Sequence, residues 1–98
     1  MGKIESEKKI EKALAEEVKN LGGHCFKFLP QFVNGLPDRV CLLPGGKIFF
    51  VELKTTKQKA RALQLLWHAK LRKLGFRVEV IDQTKQIKEI LQDYAKRE

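Results

Sequence analysis

Two carboxylates and a lysine are the residues of this sequence best suited to chemistry: Asp38, within Pro37-Asp38, and Glu52 and Lys54, within Glu52-Leu53-Lys54. A hard divalent cation takes oxygen ligands, and Mg²⁺ is commonly held by one or two carboxylates, with waters and substrate phosphate completing its shell. Asp38 and Glu52 would supply the carboxylates and the Leu53 backbone carbonyl a third oxygen. A cation placed there would polarise a phosphodiester and acidify a water. Lys54, which cannot ligate it, would orient that water or neutralise charge on the phosphate.

Such chemistry requires the two carboxylates to meet, and the intervening sequence provides for it. Pro44-Gly45-Gly46 is a turn signal between two apolar runs, 39–43 and 47–51. That pattern predicts a β-hairpin with a three-residue loop in which glycine supplies the positive φ. Pairing Leu43 with Lys47 and counting back along both strands sets Asp38 opposite Glu52. Residues two apart on a strand share a face, so Lys54 joins Glu52 while Leu53 points away.

Ninety-eight residues are enough for one domain, read here as 1–98, with a single modest core. Twenty Lys and Arg against twelve Asp and Glu give a formal net charge of +8, which suits a polyanionic partner. No apolar run approaches the roughly 18 residues of a membrane span, and no secretory signal is visible. The expected setting is therefore cytoplasmic, neither secreted nor membrane-bound. Cys25 and Cys41 lie in apolar strand contexts and read as buried free thiols of a reducing compartment.

Apolar periodicity predicts a first helix over 6–21, with Ile10, Leu14, Val18 and Leu21 inward and Gly22-Gly23 as its stop. Glu11 shares that face, where a carboxylate is costly unless paired, and Glu7 lies one turn earlier. A strand follows over 24–29, then a loop over 30–36 and the hairpin. The segment 55–61 is a basic connector whose Lys57, Lys59 and Arg61 would lie against a nucleic-acid backbone. A second helix is expected over 60–74, with Leu63, Leu66, Trp67, Leu71 and Leu74 as its core stripe. Gln64 and His68 share another face, and His68 is expected at the helix surface, at the edge of the DNA site. A last strand over 77–81 precedes a helix whose buried stripe is Ile87, Ile90, Leu91 and Tyr94. The expected fold is an α/β restriction-endonuclease-like αβββαβ core, a mixed sheet flanked by helices.

The run 35–40, then 46–54, then Gln64 resembles the VRR-NUC domain, a branch of the PD-(D/E)xK nucleases found in phage and bacterial proteins. The resemblance covers nearly the whole chain, although the glycine and the serine or proline common after the ExK motif are absent. It implies a phosphodiester hydrolase dependent on Mg²⁺ or Mn²⁺. It also implies a first-helix glutamate completing the metal site through a water, for which Glu11 fits better than Glu7. Gln64 matches a glutamine that contacts substrate or supports the lysine, and Lys27 a lysine that would reach substrate phosphate.

One hairpin gives one active site, whereas resolving a four-way (Holliday) junction takes two cuts related by a two-fold axis. A homodimer supplies that symmetry, and stand-alone domains of this type resemble junction resolvases. The expectation is a homodimeric endonuclease acting on branched DNA, with Phe32, Val33 and Leu65 as interface candidates. The competing readings are a flap, nicking or general nuclease on branched or duplex DNA, a non-catalytic nucleic-acid-binding module, and a small structural domain with a chance motif.

Overall fold

The computed structural model describes residues 4–28, 34–54 and 61–96. Its elements run α1 (Glu7–Asn20), β1 (His24–Lys27), β2 (Arg39–Leu43), β3 (Lys47–Leu53), α2 (Ala62–Lys73), β4 (Arg77–Ile81) and α3 (Lys85–Lys96). This is the expected αβββαβ order with a closing helix. The strands stand side by side in the order β1-β2-β3-β4. β1 and β2 pair antiparallel, as do β2 and β3, and β4 lies parallel to β3. A parallel neighbour needs a crossover connection, and α2 provides it.

The β2–β3 hairpin has the predicted register. Leu43 pairs with Lys47 and the ladder runs to Arg39 and Val51, so Asp38 and Glu52 occupy the next step. Gly45 and Gly46 both have positive φ, which lets the turn close in three residues.

Side-chain alternation divides the sheet into two unlike faces. Cys41, Leu43, Phe49, Val51, Leu53 and Ile81 point to one side and form the main core with Ile10, Leu14 and Val18 of α1 and Ile87, Leu91 and Tyr94 of α3. Phe49 is fully buried and stacks on Tyr94 with ring centroids 4.4 Å apart. Removing a ring so placed typically costs about 3–5 kcal/mol. Ser6 caps α1 by accepting from the Lys9 N–H at 3.1 Å. Glu5 accepts from the Thr84 N–H at 2.8 Å, fastening the segment that leads into α1 to the start of α3.

The opposite face carries Phe50 and Glu52 and is covered by α2. Here the stripe expected from periodicity fails. Leu63, Leu66 and Leu74 are exposed, Trp67 is half-buried, and the residues α2 buries are His68 and Leu71. Leu21, expected inward on α1, is also exposed, because the helix ends at Asn20 and Leu21 is its C-cap. β1 is paired as far as Lys27. The expected strand end Leu29, the loop residues Phe32 and Val33, and the expected helix start Ala60 lie outside the described residues.

Candidate metal-dependent active site

Asp38 is fixed from two directions. Its backbone carbonyl accepts from the Phe28 N–H at 2.8 Å, and its Oδ2 accepts from the Leu53 N–H at 2.9 Å. The first bond ties the residue to the chain leaving β1 and the second aims its carboxylate at β3. In an extended strand the N–H and C=O of one residue point to the same edge. The Leu53 carbonyl therefore faces the Asp38 side, while the next amide, Lys54, turns the other way and donates to the Ile81 carbonyl at 3.0 Å.

Glu52 sits one step along β3 on the α2 face and is only 2% exposed. Its two oxygens have different fates. Oε2 accepts from Gln64 Nε2 at 3.0 Å and lies 3.4 Å from Lys54 Nζ, whereas Oε1 is buried with no hydrogen-bond partner among the described residues. Burial raises the pKa of this carboxyl to about 7, and the neighbouring charge of Asp38 adds to the rise against the opposing pull of Lys54.

Gln64 joins the pieces. Its Oε1 accepts from Lys54 Nζ at 2.9 Å and from the Arg61 N–H at 3.0 Å, while its amide nitrogen holds Glu52. One side chain thus satisfies a free donor at the start of α2 and bridges the acid and the lysine of the motif. The approach of α2 to this end of the sheet is set by Gly35. A Cβ built there would lie 2.7 Å from Leu63 Cγ and 2.9 Å from Trp67 Cδ1, and the φ of +91° is itself unfavourable for other residues. Beside Gln64 a hollow of about 330 Å³ is lined by Asn34, Gly35, Arg61, Leu63 and Gln64.

Asp38, Glu52, Leu53, Lys54 and Gln64 are therefore brought together, and Arg61 stands at their margin, exposed. Glu11 is not part of this group. It is half-exposed on α1 and forms an ion pair with Arg39, whose other nitrogen lies 3.6 Å from Asp38 Oδ2. Glu11 is thus linked to Asp38 through Arg39 rather than by direct contact. Among the described residues no three His, Cys, Asp or Glu side chains cluster as a metal-binding group.

His68 is also displaced from its expected role. It is 1% exposed, with Nε2 buried and without a partner among the described residues, so it does not face a DNA backbone. Burial lowers its pKa, and the nearby Arg72 and Lys54 charges act in the same direction. Lys27 is exposed but pairs across β1–β2 with Arg39, which places it on the sheet face opposite Glu52. Lys57 and Lys59 lie outside the described residues.

Arg39 is a site residue that the sequence reading misses. It is 6% exposed, and burial pulls its pKa down against the opposing carboxylates. The available signal is an arginine on the inward-pointing positions of an otherwise apolar strand, which demands a carboxylate partner.

The residues present suit a divalent cation. Two carboxylates close enough to repel one another, one carrying a buried oxygen without a donor, together with a carbonyl on the same edge, form an oxygen set of the kind Mg²⁺ takes with waters and phosphate. Asp38 and Glu52 would hold the ion, with the Leu53 carbonyl beside them.

A family model described as the VRR-NUC domain matches residues 2–85. A phage protein named "Putative nuclease p44", from Acyrthosiphon pisum secondary endosymbiont phage 1, is 46% identical over 76 residues, which are 78% of this chain and 82% of that one. A solved structure described as a VRR_NUC domain superposes with a TM-score of 0.82 at 34% identity, covering 90% of this chain and 96% of its own.

Proposed function

The chain belongs to the VRR-NUC family of nucleases, and from that premise we propose that it is a Mg²⁺- or Mn²⁺-dependent endonuclease that cuts four-way DNA junctions as a homodimer. The observation that carries the hydrolytic part of this reading is Glu52, buried beside Asp38 with one oxygen unsatisfied. A bound cation would neutralise charge on the scissile phosphate and ease removal of a proton from the attacking water.

The protein's own contribution is positional. Asp38, held by Leu53 N–H, and Glu52, held by Gln64, fix the two carboxylates before substrate arrives, so little reorganisation remains for the reaction itself. Lys54 Nζ, steered by Gln64 Oε1 and Glu52 Oε2, directs a positive charge at the phosphate or at its attacking water. Arg61, with Lys57 and Lys59 of the same connector, contacts the flanking DNA backbone.

The homodimer rests on symmetry and on apolar surface. One site per chain cuts one strand, and two chains related by a two-fold axis would cut two. Leu65 is exposed on α2 together with Leu63 and Leu66, and these residues offer an isologous contact. No helix among the described residues is long and apolar enough to cross a membrane. The phage origin of the p44 relative favours the cytoplasm of a bacterial or phage-infected cell as the working compartment.

The test is a panel of end-labelled duplex, single-stranded, flap and four-way DNA, incubated with Mg²⁺, Mn²⁺ or EDTA, with light scattering on the same preparation. Paired cuts in the four-way junction by a dimer, abolished by EDTA, are the expected result. A monomer near 11.3 kDa that cuts flaps and leaves junctions intact would overturn the junction assignment.

A further inference from the structure

Cys25 and Cys41 are direct cross-strand partners in the β1–β2 ladder, and their sulfurs are 3.1 Å apart, with the Cys41 thiol donating to Cys25 Sγ. Antiparallel partners stand about 4.5–5.5 Å apart at Cα. That spacing lies inside the range of roughly 4.4–6.8 Å spanned by disulfides, and the sulfurs need to approach by only about 1 Å more to reach bonding distance. Both residues are free thiols, Cys41 buried and Cys25 half-buried.

We propose that this pair is a redox modification site, which reacts with a small-molecule disulfide to form a reversible Cys25–Cys41 disulfide across the two strands. The residues are 16 apart in sequence, and the segment between them contains Asp38. The bond would therefore close the arm carrying one catalytic carboxylate into a covalent ring. The site stands on the thiol geometry and is independent of the nuclease reading.

The surroundings assign each sulfur a role. Cys41 is fully buried and cannot meet a reagent first, so Cys25 is the attacking sulfur. The hydrogen bond from Cys41 holds the Cys25 thiol pKa below its ordinary value, and the same bond and burial push that of Cys41 upward. Arg39, two residues before Cys41 on the same face, opposes the rise at Cys41 with its positive charge.

In the first step Cys25 gives its proton to solvent and the thiolate attacks one sulfur of the small disulfide, forming a mixed disulfide and expelling one small thiolate, which solvent protonates. Cys41 then attacks Cys25 Sγ, its proton passing to the second small thiolate as that leaves. Two electrons pass from the protein sulfurs to the small disulfide, which leaves as two thiols.

The test uses the whole protein and glutathione disulfide as the probe, with intact mass, alkylation after unfolding, and thermal melting as readouts. The expected product is protein lighter by two hydrogens, with no alkylatable thiol, restored by dithiothreitol and melting at a higher temperature than the reduced form. Cys41→Ser should instead accumulate a glutathione adduct on Cys25, because the second sulfur is missing, and Cys25→Ser should remain unmodified. Wild-type protein that keeps two alkylatable thiols, or that stops at a stable mixed disulfide as Cys41→Ser does, would overturn the proposal.

Discussion

Gln64 donates from Nε2 to Glu52 Oε2 at 3.0 Å while its Oε1 accepts from Lys54, so a helix side chain spans two residues of a neighbouring strand. The same oxygen also accepts from the Arg61 N–H at the start of α2. The seating of the helix and the geometry of the site are consequently one structural feature.

Replacing Gln64 with leucine keeps the volume and removes all three hydrogen bonds. Turnover of cleaved DNA should fall about 10- to 100-fold, as when a partner orienting a metal ligand is removed. Loss of the bond to the Arg61 N–H should cost about 1 kcal/mol of stability, the scale of a helix cap. Single-turnover cleavage and urea unfolding separate the two effects. An unchanged cleavage rate would show that the bridge is incidental.

Gly35→Ala should destabilise the protein by roughly 1–3 kcal/mol, because a side chain there is strained at positive φ and overlaps Leu63 and Trp67. The displacement would separate Asp38 from Gln64, so cleavage should fall alongside stability. Urea midpoints equal to wild type would mean that the loop yields without cost.

The raised pKa of Glu52 has a thermodynamic sign. Between its ordinary value of 4.5 and about 7 the folded chain binds more protons at this group than the unfolded chain does. Without metal, its contribution to stability is therefore lost as pH rises through that window, by up to roughly 3 kcal/mol. The difference between wild type and Glu52→Gln isolates this contribution, and from pH 5 to pH 8 in EDTA it should shift in favour of the variant. Mg²⁺ should raise the wild-type melting temperature at pH 8 and do so much less at pH 5, where it competes with a proton. Equal Mg²⁺ shifts at both pH values would place the cation elsewhere.

Neutralising Lys57, Lys59 and Arg61 together should weaken binding to all DNA forms alike. It should also flatten the dependence of log K on log salt by about 0.9 for each phosphate that the variant no longer neutralises. An unchanged slope would move the DNA path away from this connector.

The hairpin is legible in the sequence because its information is local: a Pro-Gly-Gly turn and a two-residue alternation fix the register, and the register places Asp38, Glu52 and Lys54. The inward face of α2 is not. Leucines at helical spacing suggest Leu63, Leu66 and Leu74 as core, but the helix is rotated so that Gln64 meets Glu52 and Lys54, which carries His68 and Leu71 inward and leaves those leucines exposed. Hydrophobic periodicity assumes an apolar receiving surface, whereas this one has a carboxylate at its centre. Glu11 illustrates the same limit. Its position on a helix face is readable, but its partner, Arg39, comes from a strand far along the chain.

In the proposed reading, Glu52 is the residue on which the cation, and with it cleavage, would most directly depend. Glu52→Gln conserves shape and leaves a neutral buried side chain, so folding by circular dichroism should persist, and stability in EDTA at pH 8 should equal or exceed wild type. Because loss of residues that merely support a metal site costs about 10- to 100-fold, loss of the ligand itself should lower cleavage by more than about a hundredfold, and the Mg²⁺-induced rise in melting temperature should vanish with it. The decisive measurement is Mg²⁺-dependent cleavage of labelled DNA by Glu52→Gln beside wild type, with melting curves on the same samples. Loss of both cleavage and the Mg²⁺ shift in a folded variant is expected, and a folded variant that still cuts at the wild-type rate would contradict the site.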